Sequence, residues 1–156
     1  MRFDGAREAK PATGVLDAIA EAETVLIAPS NPVTSIAPIL AVPGIREALI
    51  NSSANVVAVS PIIGDAAVSG PAANLMSAQG YKVSITGVAA AYADFLDALL
   101  AHTTDADAAR ALTAERLQVH CANILMNNVE DRAQLARTAL SLAGSQTVML
   151  AISEAR

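Results

Sequence analysis

The sequence predicts an α/β fold: a mostly parallel sheet with helices on both of its faces. Three observations support this. Two short, β-branched apolar runs stop at prolines, Thr24-Val25-Leu26-Ile27-Ala28 before Pro29 and Val56-Val57-Ala58-Val59-Ser60 before Pro61; strands buried on both faces look like this. They alternate with stretches whose apolar residues recur at helical spacing, and strand–helix alternation builds parallel sheets through crossovers. The 156 residues are 53% apolar and only 16% charged, which suits one buried core and leaves no room for two. Residues 1–156 are therefore read as a single α/β domain.

Taken in order, Thr13 is placed to cap a helix reaching about Ala22, with Leu16, Ile19 and Ala20 on one face. The first strand, Thr24–Ala28, follows. Pro43-Gly44 opens a helix over Ile45–Ile50, ended by Asn51-Ser52-Ser53, and Val56–Ser60 is the second strand. Gly70-Pro71 starts a helix to about Gln79, which Gly80 closes as a C′ glycine. Val83-Ser84-Ile85 reads as a short strand, Val88–Ala93 as a helical turn and Leu96–Ala101 as a strand. Asp105 caps a helix to about Arg116, and Leu117–Ala122 is a strand. A helix over Glu130–Ala143 is terminated by Gly144, and Thr147–Ile152 reads as a last strand.

Composition excludes several functions. Aromatic residues are 3% of the chain and Trp is absent, so there is no base-stacking platform. Ten Lys+Arg against fifteen Asp+Glu give a net charge of −5, so no broad basic face exists for a phosphate backbone and no nucleic-acid partner is expected. Cys121 is the single cysteine, which rules out an intrachain disulfide and a cysteine metal cluster, and a buried, inert thiol is the expectation. Residues 1–7 hold no apolar stretch of the secretory kind, and no apolar run approaches the ~20 residues of a membrane span. The expected location is the cytoplasm, without a membrane partner.

Two loops carry the candidate chemistry, because ligands of open α/β sheets sit at the carboxyl ends of the strands. The first, Pro29-Ser30-Asn31-Pro32-Val33-Thr34-Ser35-Ile36-Ala37-Pro38, sets hydroxyls and an amide between prolines that fix φ. Ser30 and Asn31 offer donors to an anionic or polar ligand, and Thr34 and Ser35 can cap a short helix whose free N–H groups aim at the same spot. The same residues equally suit a turn closed by Asx and Ser motifs, and composition leaves both roles open. The second loop, Ser60-Pro61-Ile62-Ile63-Gly64-Asp65, has Gly64 to permit positive φ and close backbone approach.

Other constellations fail. The common Gly-rich phosphate fingerprints and the G-x-S-x-G elbow are absent, and His102 and His120 lack metal-pair spacing. His102 reads as a solvated loop histidine. Asp94 and Asp97 would share a helix face, in a segment that reads as amphipathic packing.

At the two loops the chain becomes recognisable. Ala28-Pro29-Ser30-Asn31-Pro32-Val33-Thr34-Ser35-Ile36 and Pro38-Ile39-Leu40-Ala41-Val42-Pro43-Gly44-Ile45-Arg46 resemble the 2-phospho-L-lactate transferase family of coenzyme F-420 biosynthesis. The resemblance continues through Val59–Gly64 and Val68-Ser69-Gly70-Pro71-Ala72. It runs more weakly through Gly87–Asp97, Leu125-Met126, Asp131-Arg132 and Leu135-Ala136. It covers most of this chain but only the second, C-terminal half of the family.

The resemblance implies a Rossmann-like transferase that moves a phospholactyl or phosphoenolpyruvyl group from a GDP-activated donor to the deazaflavin precursor Fo, with magnesium and release of GMP. It implies substrate or nucleotide binding through Ser30, Asn31, Thr34, Ser35 and Gly64. It assigns no catalytic residue and no metal ligand to this chain, because the Gly-rich nucleotide loop and the metal-binding aspartates belong to the first half. Asp65 stands where the family usually has a second glycine, and His102 and Asn123 stand near positions expected to be acidic. The alternative is a non-catalytic α/β binding or assembly module that needs a partner chain. Half a sheet exposes an edge and an apolar face, so a homo-oligomer or a separate N-terminal half is the expected partner.

Overall fold

In the computed structural model, residues 2–113 and 117–153 are described. The chain runs through α1 (Val15–Glu21) into β1 (Thr24–Ile27), then through a π-helical turn (Pro32–Ile36), α2 (Ala37–Leu40) and α3 (Ile45–Asn51) to β2 (Asn55–Val59). A two-stranded antiparallel hairpin, β3 (Ile62–Ile63) and β4 (Ala66–Ala67), precedes α4 (Ala72–Ala78), α5 (Ile85–Ala91) and β5 (Ala98–His102). A 3₁₀ turn (Thr103–Asp105) leads to α6 (Ala106–Thr113), β6 (Gln118–Ala122) and α7 (Val129–Ser153).

The main sheet has four parallel strands in the order β1-β2-β5-β6. Its strand order never reverses, and the two faces are dressed differently. Val56, Ala58, Leu99 and Ala101 point to the face packed by Leu49 of α3, Met76 of α4, Ile85 and Val88 of α5, and Leu112 of α6. Val57, Val59, Ala98 and Leu100 point the other way, onto Leu135, Ala139 and Ala143 of α7. Crossovers of one hand that always step in one direction must leave their helices on one face. The second face is left to α7, which Asn55 anchors by donating from Nδ2 to the Ala143 carbonyl over 3.0 Å. Helices therefore cover both faces, and the two central strands are apolar in both directions because neither side meets water.

Several predicted elements differ. Val83-Ser84-Ile85 is not a strand: Ser84 is extended, its carbonyl accepts from Gly87 and Val88, and Ile85 opens α5. The fully buried Ile85 and Val88 are three apart, and packing them on one face requires a helix. Asp105 does not cap α6, since its carboxylate faces the hairpin instead. Gly14, with φ 85°, occupies the N-cap position of α1 in place of Thr13. Gly144 does not end α7, and Thr147–Ile152 continue the helix, because extending an existing helix fixes one residue per hydrogen bond and avoids a new nucleus. Asp94 and Asp97 share no helix: Asp97 Oδ2 accepts from the Val56 amide over 2.8 Å, beside β5. The predicted helix end at Ala114–Arg116 lies outside the described residues. Among the described residues no single helix is long and apolar enough to cross a membrane.

Candidate functional site

The first loop is built around Asn31. Its Oδ1 accepts from the amides of Val33 (2.9 Å) and Thr34 (3.3 Å), while its carbonyl accepts from Ser35 and Ile36 (3.0 and 3.1 Å). Those bonds wind Pro32–Ile36 into the π-helical turn, with Pro32 in the first turn, where a missing N–H costs nothing. The Asx role that the sequence left open is thus filled by Oδ1. In the second loop Ser60 is fully buried; its Oγ accepts from the Ile62 amide (3.0 Å) and donates to the Ile62 carbonyl (2.8 Å).

The two loops converge at the carboxyl ends of β1 and β2. They line one cavity of about 490 Å³, to which the first loop contributes Ser30, Asn31, Thr34 and Ser35 and the second Ser60 and Pro61. Gly64 and Asp65 are not among the lining residues. Gly64, at φ 59°, turns the hairpin, and its N–H is taken by Asp105 Oδ1 at 2.9 Å. The other walls come from Ser69, Gly70 and Pro71 ahead of α4, and from Ile124–Asn127 after β6. These were not singled out as site residues from the sequence, although the carboxyl-end rule applies to the segment after β6 as much as to the first loop.

The lining side chains are hydroxyls, amides, prolines, aliphatics and the Met126 thioether, and none carries a formal charge. Such a surface can hold hydroxyl, carbonyl or ring edges of a ligand. It offers no group that titrates near neutral pH and so no general acid or base. Magnesium demands several hard oxygen ligands, chiefly carboxylates. The cavity lining has none, and among the described residues no three His, Cys, Asp or Glu side chains gather to hold a metal. The ion implied by the resemblance does not fit the residues present. Arg46, the one base near the first loop in sequence, is committed elsewhere: its Nε and Nη2 donate to Asp94 Oδ2 and Oδ1, both over 2.7 Å.

Ionisable groups gather instead over the end of β5. Asp105 is 6% exposed, and its Oδ2 has no partner among the described residues. Burial pushes its carboxyl above the ordinary range; the Gly64 N–H and His102 oppose that shift, and Asp65 adds to it. His102 Nδ1 lies 3.0 Å from Thr104 Oγ1. Cys121, expected to be buried, is only half-buried, and its thiol is also pushed up, first by desolvation and then by Asp105.

Comparison with known proteins places the chain in a family. Residues 2–141 match the model of the 2-phospho-L-lactate transferase CofD family. The chain belongs to that family. It is 49% identical over 140 residues to a phosphoenolpyruvate transferase of Kitasatospora aureofaciens, covering 89% of this chain and 44% of that protein. It is 40% identical over 143 residues to a 2-phospho-L-lactate transferase of Methanocaldococcus jannaschii, covering 92% and 44%. The chain thus spans less than half the length of these transferases. A crystal structure of a UPF0052-family protein from Bacillus halodurans shares the fold, with a TM-score of 0.52 at 23% identity over 77% of this chain and 42% of that one.

Proposed function

We propose that the chain forms the C-terminal half of a transferase of coenzyme F-420 biosynthesis, moving a phospholactyl or phosphoenolpyruvyl group from a GDP-activated donor to Fo. In that reaction a hydroxyl of Fo attacks the phosphorus bearing the lactyl or enolpyruvyl group. The bond to the bridging oxygen breaks, GMP leaves with the bond's electrons, and the Fo proton is lost to base or solvent. Positioning and charge stabilisation carry such transfers.

The observation that carries this reading is the uncharged, hydroxyl-lined cavity at the carboxyl ends of β1 and β2. It suits the polyol and ring portions of the substrates, with Ser30, Asn31, Thr34 and Ser35 as ligand contacts. The diphosphate and magnesium require cationic and acidic groups that this cavity lining does not hold.

The test is to incubate the chain with magnesium, the activated donor and Fo, and to look for the phosphodiester by mass spectrometry. Expected is no transfer by the chain alone, with measurable affinity for Fo or a guanine nucleotide that falls in Ser30→Ala and Thr34→Ala. Product formed in proportion to the chain, and lost in Asp65→Asn, overturns the incomplete-site reading. Absence of any ligand affinity favours the second reading, a non-catalytic module that works with a partner chain. The 44% coverage of its relatives is the observation that supports that alternative.

A further inference from the structure

The chain has four aromatic residues, Phe3, Tyr81, Tyr92 and Phe95, and all four gather at one place. Phe3, Tyr81 and Tyr92 line a second cavity of about 190 Å³. Phe95 stands beside it, its ring centroid 5.7 Å from that of Tyr92 and 5.2 Å from the guanidinium carbon of Arg46, another lining residue. The π-helical turn is a wall of both cavities: Pro32 and Val33 line this one, Thr34 and Ser35 the first. An apolar cavity of about 150 Å³ admits a benzene ring. This one has room for a single ring and a substituent, and not for three fused rings.

Tyr92 supplies the polar contact. It is 2% exposed, and its hydroxyl makes no hydrogen bond among the described residues. A buried phenol ordinarily finds a partner, because an unmade hydrogen bond costs the full desolvation of the group. Among the described residues Asp105 Oδ2 is the one side-chain atom both sealed from solvent and unpartnered. The Tyr92 oxygen, unpartnered as well, is therefore not sealed, and the opening that Tyr92 lines is this cavity. Burial, and then the neighbouring Tyr81, push its phenol up, so it stays protonated and is a donor. Arg46 adds no free charge, since its Nε and Nη2 are both bonded to the Asp94 carboxylate, and no other lining residue is charged.

We propose that this cavity is a second ligand site, for an uncharged, single-ring aromatic molecule that carries a hydrogen-bond acceptor. The ring packs among Phe3, Tyr81 and Tyr92, and its acceptor takes the Tyr92 hydroxyl as donor. Charged ligands are excluded because nothing in the lining is free to neutralise them. Pro32 and Val33 belong to the same short turn as Thr34 and Ser35, so occupancy moves a wall that the first cavity shares. The site stands independently of the transferase reading.

The test is an NMR titration of the full chain with benzamide, and with benzene as the ring that lacks an acceptor. Benzamide should saturate with a Kd of about 1 mM or tighter, shifting the Tyr81 and Tyr92 ring signals together with the amides of Val33, Thr34 and Ser35. Tyr92→Phe keeps the ring and removes the hydroxyl; it should weaken benzamide at least fivefold and leave benzene unchanged. Ala37→Leu, which fills the cavity from α2, should abolish binding of both, and Ala91→Leu serves the same purpose from α5 if the first variant does not fold. Absence of saturation overturns the proposal, as do shifts confined to Ser30, Ser69 and Leu125 at the first cavity, or equal benzamide affinity in Tyr92→Phe. Tighter binding in Phe3→Ala also overturns it, by showing that the Phe3 ring is the cavity's own occupant. Ring shifts that leave Thr34 and Ser35 unmoved refute the coupling between the two cavities.

Discussion

The Gly64 amide and Asp105 Oδ1 meet at 2.9 Å across 41 residues of chain. This bond fastens the β3–β4 hairpin to the 3₁₀ turn that follows β5. Because Asp105 is buried and its Oδ2 has no partner among the described residues, the fastening costs a desolvated charge.

That cost has a pH signature. The Asp105 carboxyl is raised above its unfolded value, so the folded chain holds this proton to higher pH than the unfolded chain. Its contribution to stability is full below the ordinary carboxyl range, about pH 4, and is lost as pH rises through the raised value. Asp105→Asn, neutral throughout, should be more stable than the parent at pH 7 by about 1 kcal/mol, with the difference shrinking toward pH 4. Urea melts at several pH values measure it, and a difference independent of pH would contradict this account.

Gly87 should be irreplaceable. A Cβ there would lie 1.9 Å from the Lys82 carbonyl oxygen, a backbone atom that cannot step aside without moving the segment into α5. Gly87→Ala should destabilise by roughly 3 kcal/mol. Gly144 offers the opposite sign: within α7 a Cβ meets nothing within 4 Å, so Gly144→Ala should stabilise by up to about 1 kcal/mol. Thermal denaturation of the two variants side by side tests both.

Arg46 joins α3 to the segment after α5. Besides its paired bonds to Asp94, the guanidinium lies 5.2 Å from the Phe95 ring centroid. Both charged side chains remain about two-fifths exposed, so solvent screens the pair. A double-mutant cycle with Arg46→Ala and Asp94→Ala should return a coupling of about 0.5–1 kcal/mol, smaller in high salt. A coupling near zero would mean that the contact is decorative.

Within the first loop, structural and binding roles separate. Asn31→Ala removes the acceptor for two amides and should cost about 1 kcal/mol of stability. Ser30→Ala removes the hydroxyl of a cavity-lining residue and should leave stability within about 0.5 kcal/mol while weakening ligand binding. Denaturation and ligand titration on both variants distinguish the roles, and equal stability losses would refute the separation.

Part of the cavity lining was legible in the chain. The runs before Pro29 and Pro61 located β1 and β2, and the carboxyl-end rule then pointed to Ser30, Asn31, Thr34 and Ser35, four residues that do line one cavity. Gly64 has the positive φ that the sequence allowed for, but it was read as a ligand-binding residue, and whether its N–H faces a ligand or Asp105 depends on a residue 41 positions away. Ser69 and Ile124–Asn127 were missed as site residues, although Ser69, Leu125 and Met126 lie in the motifs that carry the resemblance and the carboxyl-end rule covers the segment after β6; the strand order brings them to the cavity.

The amino-acid sequence by itself determined the α/β class, the positions of β1 and β2 and the family, because hydrophobic periodicity, proline punctuation and a long motif are local properties of the chain; of the two strands expected to be buried on both faces, β2 is and β1 is not. Tertiary structure alone decided which way Ile85 and Thr147–Ile152 fold, since short β-branched segments have no strong preference until packing or an adjoining helix supplies one. It alone decided where the carboxylates go: Asp97 to the Val56 amide, Asp94 to Arg46 and Asp105 to Gly64. And it alone revealed that Leu26, apolar enough for an interior strand, stands 43% exposed at the edge of the sheet. A residue's hydrophobicity is written in its side chain, but whether anything covers it depends on the order in which strands assemble.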